Sequence, residues 1–298
     1  METTIETVRF DAHGETLVGH LHRPAHPDGP LPAVTLLGPM TFVKEQAPTE
    51  YATRLARRGF AALAFDPRYH GESGGHPRRL ESPMSKVQDV IASVDYLTSR
   101  PEVDGRRIFG LGICQGSSEL IRALADDERM GAGATIAGHY RDQDGDDEWL
   151  TSGGRAARLA RGWKAKLHFE ETGEVTYVPA VHEERMDVGM TGKFVWDWYH
   201  HWADQGVWDD RYAVMSDAEL LTYESLSAAA RLRKPYLMIH SDQCFLPAVA
   251  KRHYDAIPSD DKHLSWKGDT PHLAFYDQAP VIDPTADEIA RFFASRHR

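Results

Sequence analysis

The chain has 298 residues, 41% hydrophobic and 27% charged, which is ordinary for a globular protein and long enough to bury a full core. A formal net charge of −11 argues against nucleic acid or an anionic membrane surface as partner. No apolar run approaches a membrane span, and the acidic start Met1-Glu-Thr-Thr-Ile-Glu6 lacks the pattern of a signal peptide. Two cysteines, Cys114 and Cys244, are too few for a disulfide framework, so a reducing, cytoplasmic setting is expected.

In chain order, Thr7–Phe10 and Leu17–Leu21 alternate around His13-Gly14 and predict an opening antiparallel hairpin. Ala33–Leu37 is a short buried strand, Tyr51–Arg58 a helix stopped by Gly59, and Ala61–Phe65 the next strand. Val87, Val90, Ile91, Val94 and Leu97 recur at helical spacing. Ile108–Leu111 is a strand, Ser117–Ala125 a helix and Ala134–Ala137 another strand. From about Tyr140 to Ser227 the alternation breaks. An acidic run, Asp142–Glu148, is followed by a basic helical run over 156–166 and by four of the seven tryptophans. It resumes with a strand at Tyr236–His240, a helix over 248–256, a strand at His263–Trp266 and a final helix over 285–295. Strands alternating with helices predict a mostly parallel sheet covered on both faces, with ligands at the carboxyl ends of the strands. The domain reading is a core of residues 1–139 and 228–298, with 140–227 inserted as a helical cap over the strand ends.

The chemistry centres on Gly112-Ile-Cys114-Gln-Gly116, placed between a strand and a helix. A G-x-nucleophile-x-G turn in that position is a nucleophile elbow, here with cysteine where serine is usual. Its glycines permit a sharp turn, and the backbone N–H of Gln115 would point to a forming oxyanion. A small buried cysteine in a βα turn is the alternative. The second oxyanion donor is expected in Gly38-Pro-Met-Thr-Phe42. Pro39 has no N–H, which leaves Met40 or Thr41. His272, in the loop before the last helix, is the candidate base, against a surface loop histidine. Asp242, directly after a strand, is the candidate acid that would orient the imidazole, against an Asx-turn residue. An imidazole touching Cys114 would favour a thiolate–imidazolium pair.

Trp196, Trp198, Tyr199 and Trp202 either line an apolar substrate pocket or form the core of the cap helices. Asp66-Pro-Arg-Tyr-His-Gly-Glu-Ser73 reads as scaffold beneath the site, with Tyr69 or His70 facing the pocket as the alternative. Adjacent His200 and His201 cannot share one helical face, which argues against a metal pair, and nothing demands a metal or organic cofactor.

These residues, with Val43–Gln46, Ala62–Gly75, Val94–Leu97, His240–Cys244 and Phe275–Asp277, resemble the α/β-hydrolase superfamily over nearly the whole chain. Within it the chain resembles the dienelactone hydrolase-like group with a cysteine nucleophile, and more closely the YcjY-like hydrolases and their fungal polyketide transferase relatives. The resemblance implies an α/β-hydrolase fold and acyl chemistry on an ester, lactone or thioester, with Cys114 as nucleophile and His272 as base. Gln115 and Ser117 depart from the small residues that many relatives carry after the cysteine, and Gln115 could narrow the pocket or hydrogen-bond the acyl group. The expected partner is a small-molecule acyl substrate, and a homodimer is allowed. An acyl hydrolase, an acyltransferase or cyclase, and a non-catalytic receptor on the same fold all remain open. A redox sensor using Cys114 and Cys244 is the weakest reading.

Overall fold

The computed structural model describes residues 1–296. It opens with strands β1 (Thr3–Ala12) and β2 (Glu15–Pro24), an antiparallel hairpin turning at His13-Gly14, followed by β3 (Leu31–Leu37). Then come α1 (Ala47–Ala56), β4 (Ala61–Phe65), α2 (Pro83–Ser99), β5 (Val103–Ile113), α3 (Gly116–Asp126) and β6 (Met130–Ile136). The hydrophobic periods placed these elements, and the structure lengthens most of them. Proline fits the start of α2 because its missing N–H has no helical partner there, and the Ser82 hydroxyl caps the helix by accepting from the Ser85 N–H.

The segment without alternation folds as α4 (Gln143–Leu150), α5 (Ser152–Thr172), short strands β7 (Tyr177–Val178), β8 (Val181–His182) and β9 (Met190–Thr191), then α6 (Lys193–Asp204). It continues with β10 (Tyr212–Ala213), α7 (Ser216–Leu220) and α8 (Leu226–Ala229). The acidic run 142–148 is thus helical: Asp142 caps α4 through the Gly145 N–H, and the following acids sit in the first turn, where the helix dipole favours them. The core returns with β11 (Tyr236–His240), α9 (Pro247–Ala256), β12 (Lys262–Trp266), α10 (Ala274–Asp277) and α11 (Ala279–Ala294). The last helix starts six residues earlier than its apolar spacing indicates, with Pro280 in its first turn.

Eight strands form one sheet in the order β1-β2-β4-β3-β5-β6-β11-β12, parallel from β4 to β12 and antiparallel at the β1–β2 edge. Side chains alternate across it. Ala33, Leu37 and Ile108 join the core under α2 and α3, while Val34, Leu36 and Phe109 join the one under α1 and α11. A third cluster ties the segment between β6 and β11 to the loop after β3: Tyr199, Trp208 and Tyr212 pack with Met40 and Val43. No helix among the described residues is long and apolar enough to cross a membrane.

Candidate active site

Strand β5 runs straight into the elbow. Cys114 adopts φ +53°, a left-handed conformation that costs a non-glycine residue energy and persists only where its surroundings enforce it. The flanking glycines are required by contact. A Cβ on Gly112 would lie 2.6 Å from the Gly116 carbonyl oxygen, and one on Gly116 would lie 2.5 Å from the Leu37 oxygen and 2.6 Å from that of Gly38. The Gly116 N–H donates to Gly38 O at 3.1 Å, so the elbow and the loop after β3 are pinned together.

The backbone N–H groups of Met40 and Gln115 both hydrogen-bond the Cys114 sulfur, at the N-terminus of α3, where the helix dipole is positive. Two convergent amides in this position can stabilise an oxyanion. Of the two residues expected to supply the second donor, Thr41 is excluded because its N–H is committed to the buried Glu81 carboxylate. Thr41 itself sits at φ +60°. Its carbonyl accepts from the Trp208 indole at 2.6 Å, and the Met40 carbonyl accepts from the Tyr199 hydroxyl at 2.8 Å. The loop after β3 is therefore held by Glu81 on one side and by α6 and the loop after it on the other.

The Gln115 side chain turns away from the cavity. It donates to Glu119 at 2.7 Å and accepts from Arg141 at 3.3 Å, so its side chain neither narrows the pocket nor reaches into it. Burial pushes the Glu119 carboxyl up to about 7.

His272 lines the same cavity as Cys114. Its Nε2 lies 2.9 Å from the Tyr276 hydroxyl, and that hydroxyl also hydrogen-bonds the Cys114 sulfur. Nδ1 accepts the backbone N–H of Phe245 at 3.2 Å. Asp242 departs from the role expected of it. It is exposed, its carboxylate accepts from the Trp266 indole at 3.0 Å, and no carboxylate among the described residues pairs with His272. The reason is local: Asp242 N–H donates to Gly268 O at 2.7 Å, which ties the residue to the outer end of β12, and the chain then turns Phe245, not Asp242, toward the imidazole.

The charge state also departs from a preformed ion pair. Burial pushes the Cys114 thiol up to about 11, and burial with the nearby His240 pushes His272 down to about 3. Both groups are neutral at neutral pH. Cys244 lines the cavity too, but its thiol accepts from Ser241 at 3.1 Å, is raised to about 12 by burial, and both cysteines are free.

The cavity measures about 500 Å³. Its walls are mainly apolar, with Trp149, Leu150, Met190, Phe194, Phe245 and Leu273 among them. Tyr199 reaches it. Trp196, Trp198, Trp202, Tyr69 and His70 do not line it. Trp196 stacks on His200, Trp198 packs edge-on against Tyr276 at 5.1 Å and donates to Asp277, and Trp202 packs within the third cluster. The aromatic run thus mostly packs within the segment between β6 and β11 and behind Tyr276. His70 is buried against Glu81 at 3.2 Å, and Tyr69 packs with Leu80 and Ala165, while Asp66 binds the Lys44 backbone and ammonium, all as scaffold. No group of three or more His, Cys, Asp or Glu among the described residues could hold a metal ion.

Sequence reasoning missed His139, Trp149, Phe245 and Tyr276. Tyr276 lies in α10, four residues after His272, which sits in the turn before that helix, so no helical spacing links the two in sequence. His139 lies three residues past the end of β6, at the strand ends where ligand groups collect, and its buried Nε2 has no partner.

Residues 46–205, just over half of the chain, match the family model described as Serine aminopeptidase, S33. The "Uncharacterized protein PA2218" of Pseudomonas aeruginosa is 29% identical over 94% of this chain and 77% of its own length. Its crystal structure superposes with a TM-score of 0.86 at 27% identity, covering 98% of this chain and 94% of that one. The "Uncharacterized protein YcjY" of Escherichia coli is 28% identical over 88% of this chain and 87% of its own. A "Thiohydrolase" of Eupenicillium brefeldianum is 34% identical over 39% of this chain and 37% of its own.

Proposed function

Since the chain belongs to the Serine aminopeptidase, S33 family and is an α/β-hydrolase enzyme of hydrolytic or acyl-transfer chemistry, we propose that it works through a cysteine acyl-enzyme on Cys114. The substrate class is an ester, lactone or thioester. The observation that carries this reading is the sulfur held at a strained elbow, φ +53°, against the N–H groups of Met40 and Gln115. Attack of the Cys114 sulfur on an acyl carbon there moves the carbonyl π pair onto an oxygen that the same two amides stabilise. His272 takes the thiol proton and returns it to the leaving group. Because both partners rest neutral, proton transfer accompanies attack and no thiolate waits for the substrate.

The acid of a full triad is not assigned to Asp242; the site is read as a cysteine–histidine pair. Residues 140–227 act in this reading as a cap, with Tyr199 and Trp208 holding the oxyanion loop. A second acceptor reading, transfer to an amine, an alcohol or an intramolecular nucleophile, is favoured by the mainly apolar walls of the cavity, because water is a poor competitor in a dry site.

Incubation with p-nitrophenyl acetate and intact-mass measurement tests the enzyme. An acetyl adduct on the wild type that is absent in Cys114→Ala is expected. No adduct, or one that survives the substitution, removes the reading. Product analysis with added amines and alcohols then separates transfer from hydrolysis.

A further inference from the structure

Resting on the assignment of Cys114 as nucleophile, we infer that Tyr276 is a catalytic residue that carries the proton between Cys114 and His272. The two reacting groups are joined through its hydroxyl: Nε2 of His272 stands 2.9 Å from the phenol oxygen, and the same oxygen hydrogen-bonds the sulfur. Tyr276 is 2% exposed and lines the cavity. Its ring is fixed edge-on by Trp198 at 5.1 Å, and the Trp198 indole is in turn held at 2.6 Å by Asp277. The hydroxyl therefore has a defined place and two partners, and both partners are the groups between which a proton must pass.

The direction of this chain at rest follows from the other ring nitrogen. Phe245 N–H donates to Nδ1, so the neutral imidazole carries its hydrogen on Nε2. Nε2–H then donates to the phenol oxygen, and the phenol O–H donates to the sulfur. The sulfur thus receives three donors, the amides of Met40 and Gln115 and this hydroxyl. For attack the chain runs the other way. The S–H proton passes to the phenol oxygen as the phenol proton passes to the Nε2 lone pair. The electron pair of the S–H bond stays on sulfur and forms the bond to the acyl carbon. The imidazolium so made returns its proton along the same path to the departing group. Reversal needs the other tautomer of the neutral ring: the Phe245 amide withdraws, Nδ1 takes a proton from solvent water and Nε2 gives its own proton back to solvent, which frees the Nε2 lone pair with no change in charge. Phe245 lines the cavity, so an acyl chain bound there would meet the residue whose amide has to move.

The test is the pre-steady-state burst with p-nitrophenyl acetate, which reads acylation alone. In mixtures of light and heavy water, two protons in flight give a rate that curves quadratically with deuterium fraction in the wild type, a measurement that needs no variant. Tyr276→Phe, which keeps the ring against Trp198, should slow acylation by about 10²-fold, the lower range of general acid–base contributions, and should make the plot linear. The double variant Tyr276→Phe/His272→Ala should acylate no more slowly than His272→Ala alone, because one path has been cut twice. A linear plot in the wild type, or Tyr276→Phe at the wild-type rate while His272→Ala is slow, overturns the relay. Either result leaves the acyl-enzyme reading standing. Absence of any adduct on Cys114 instead removes that reading.

Discussion

Glu81→Gln tests how the oxyanion loop is held. The Glu81 side chain is fully buried: one carboxylate oxygen accepts the Thr41 N–H and the other lies 2.6 Å from the Lys86 ammonium, itself 2% exposed. Lys86 holds the Glu81 carboxyl well below its ordinary value against the opposing cost of burial. Neutralising one member of a buried pair leaves the other charge without compensation, which costs about 3–5 kcal/mol. Of the other buried carboxyls in the field of Lys86, Asp89 is already paired with Arg68 at 2.6 Å, which leaves Glu119, raised to about 7. It ionises above that pH and offsets part of the loss, so the destabilisation should be larger at pH 6 than at pH 8. Urea denaturation at the two pH values measures both quantities. Glu81→Gln/Lys86→Met should recover most of the stability, because the orphaned ammonium is gone. A loss below about 1 kcal/mol in the single variant would refute the reasoning, since a pair worth so little behaves as an exposed one. So would a double variant as unstable as Glu81→Gln. Glutamine still offers Thr41 an acceptor and alanine does not, so Glu81→Ala should slow acylation more than Glu81→Gln does.

Cys114→Ser should lower the acylation rate by at least about 10²-fold, because a hydroxyl is a weaker nucleophile than a thiol and depends wholly on the base; stopped-flow bursts measure it. Gly116→Ala drives a Cβ to 2.5 Å from the Leu37 carbonyl oxygen, where only backbone can give way; loss of the acyl adduct, or failure to fold, is expected by intact mass and circular dichroism. Acid should unfold the protein through its buried imidazoles. Burial lowers His22 and His70 to about 4 and His272 to about 3. Each such group contributes stability that is fully present above pH 6.5 and is lost as pH falls toward the folded value, by up to about 1.4 kcal/mol per pH unit per group. A thermal midpoint that stays flat from pH 7 to pH 4.5 would contradict this.

The fold was legible because hydrophobic period is what a sheet under two helical layers imposes. Val34 and Leu36 face one layer while Ala33 and Leu37 face the other, and the short all-apolar run is the sequence trace of that arrangement. The elbow was legible because its glycines answer backbone contacts rather than side-chain preference. The region 140–227 was not. Its strands are two residues long, too short for any period, and its tryptophans answer to partners far off in sequence: Trp208 to the Thr41 carbonyl, Trp198 to Asp277. Pattern reveals that such rings are buried or half-buried and cannot say against what. The choice between Met40 and Thr41 was equally closed to sequence, because it turns on a positive φ at Thr41 and a carboxylate forty residues away.

Asp242 shows the limit most sharply. Chain order puts an acid after this strand, and the residue there is an aspartate, so order and residue type agree. What neither carries is the direction of the loop. Asp242 is spent on the Trp266 indole, and a backbone N–H stands where a carboxylate would orient His272. The exchange reverses the sense of the site. A carboxylate would keep a hydrogen on Nδ1 and leave Nε2 free to accept; an amide donor does the opposite and turns Nε2 into a donor. Burial keeps the thiol, raised to about 11, and the imidazole, lowered to about 3, both neutral, and on that neutral ring the Phe245 amide leaves the hydrogen on Nε2, aimed at the Tyr276 hydroxyl. The amide that sets the tautomer belongs to a residue that itself lines the cavity, so the state of His272 is tied to the cavity wall.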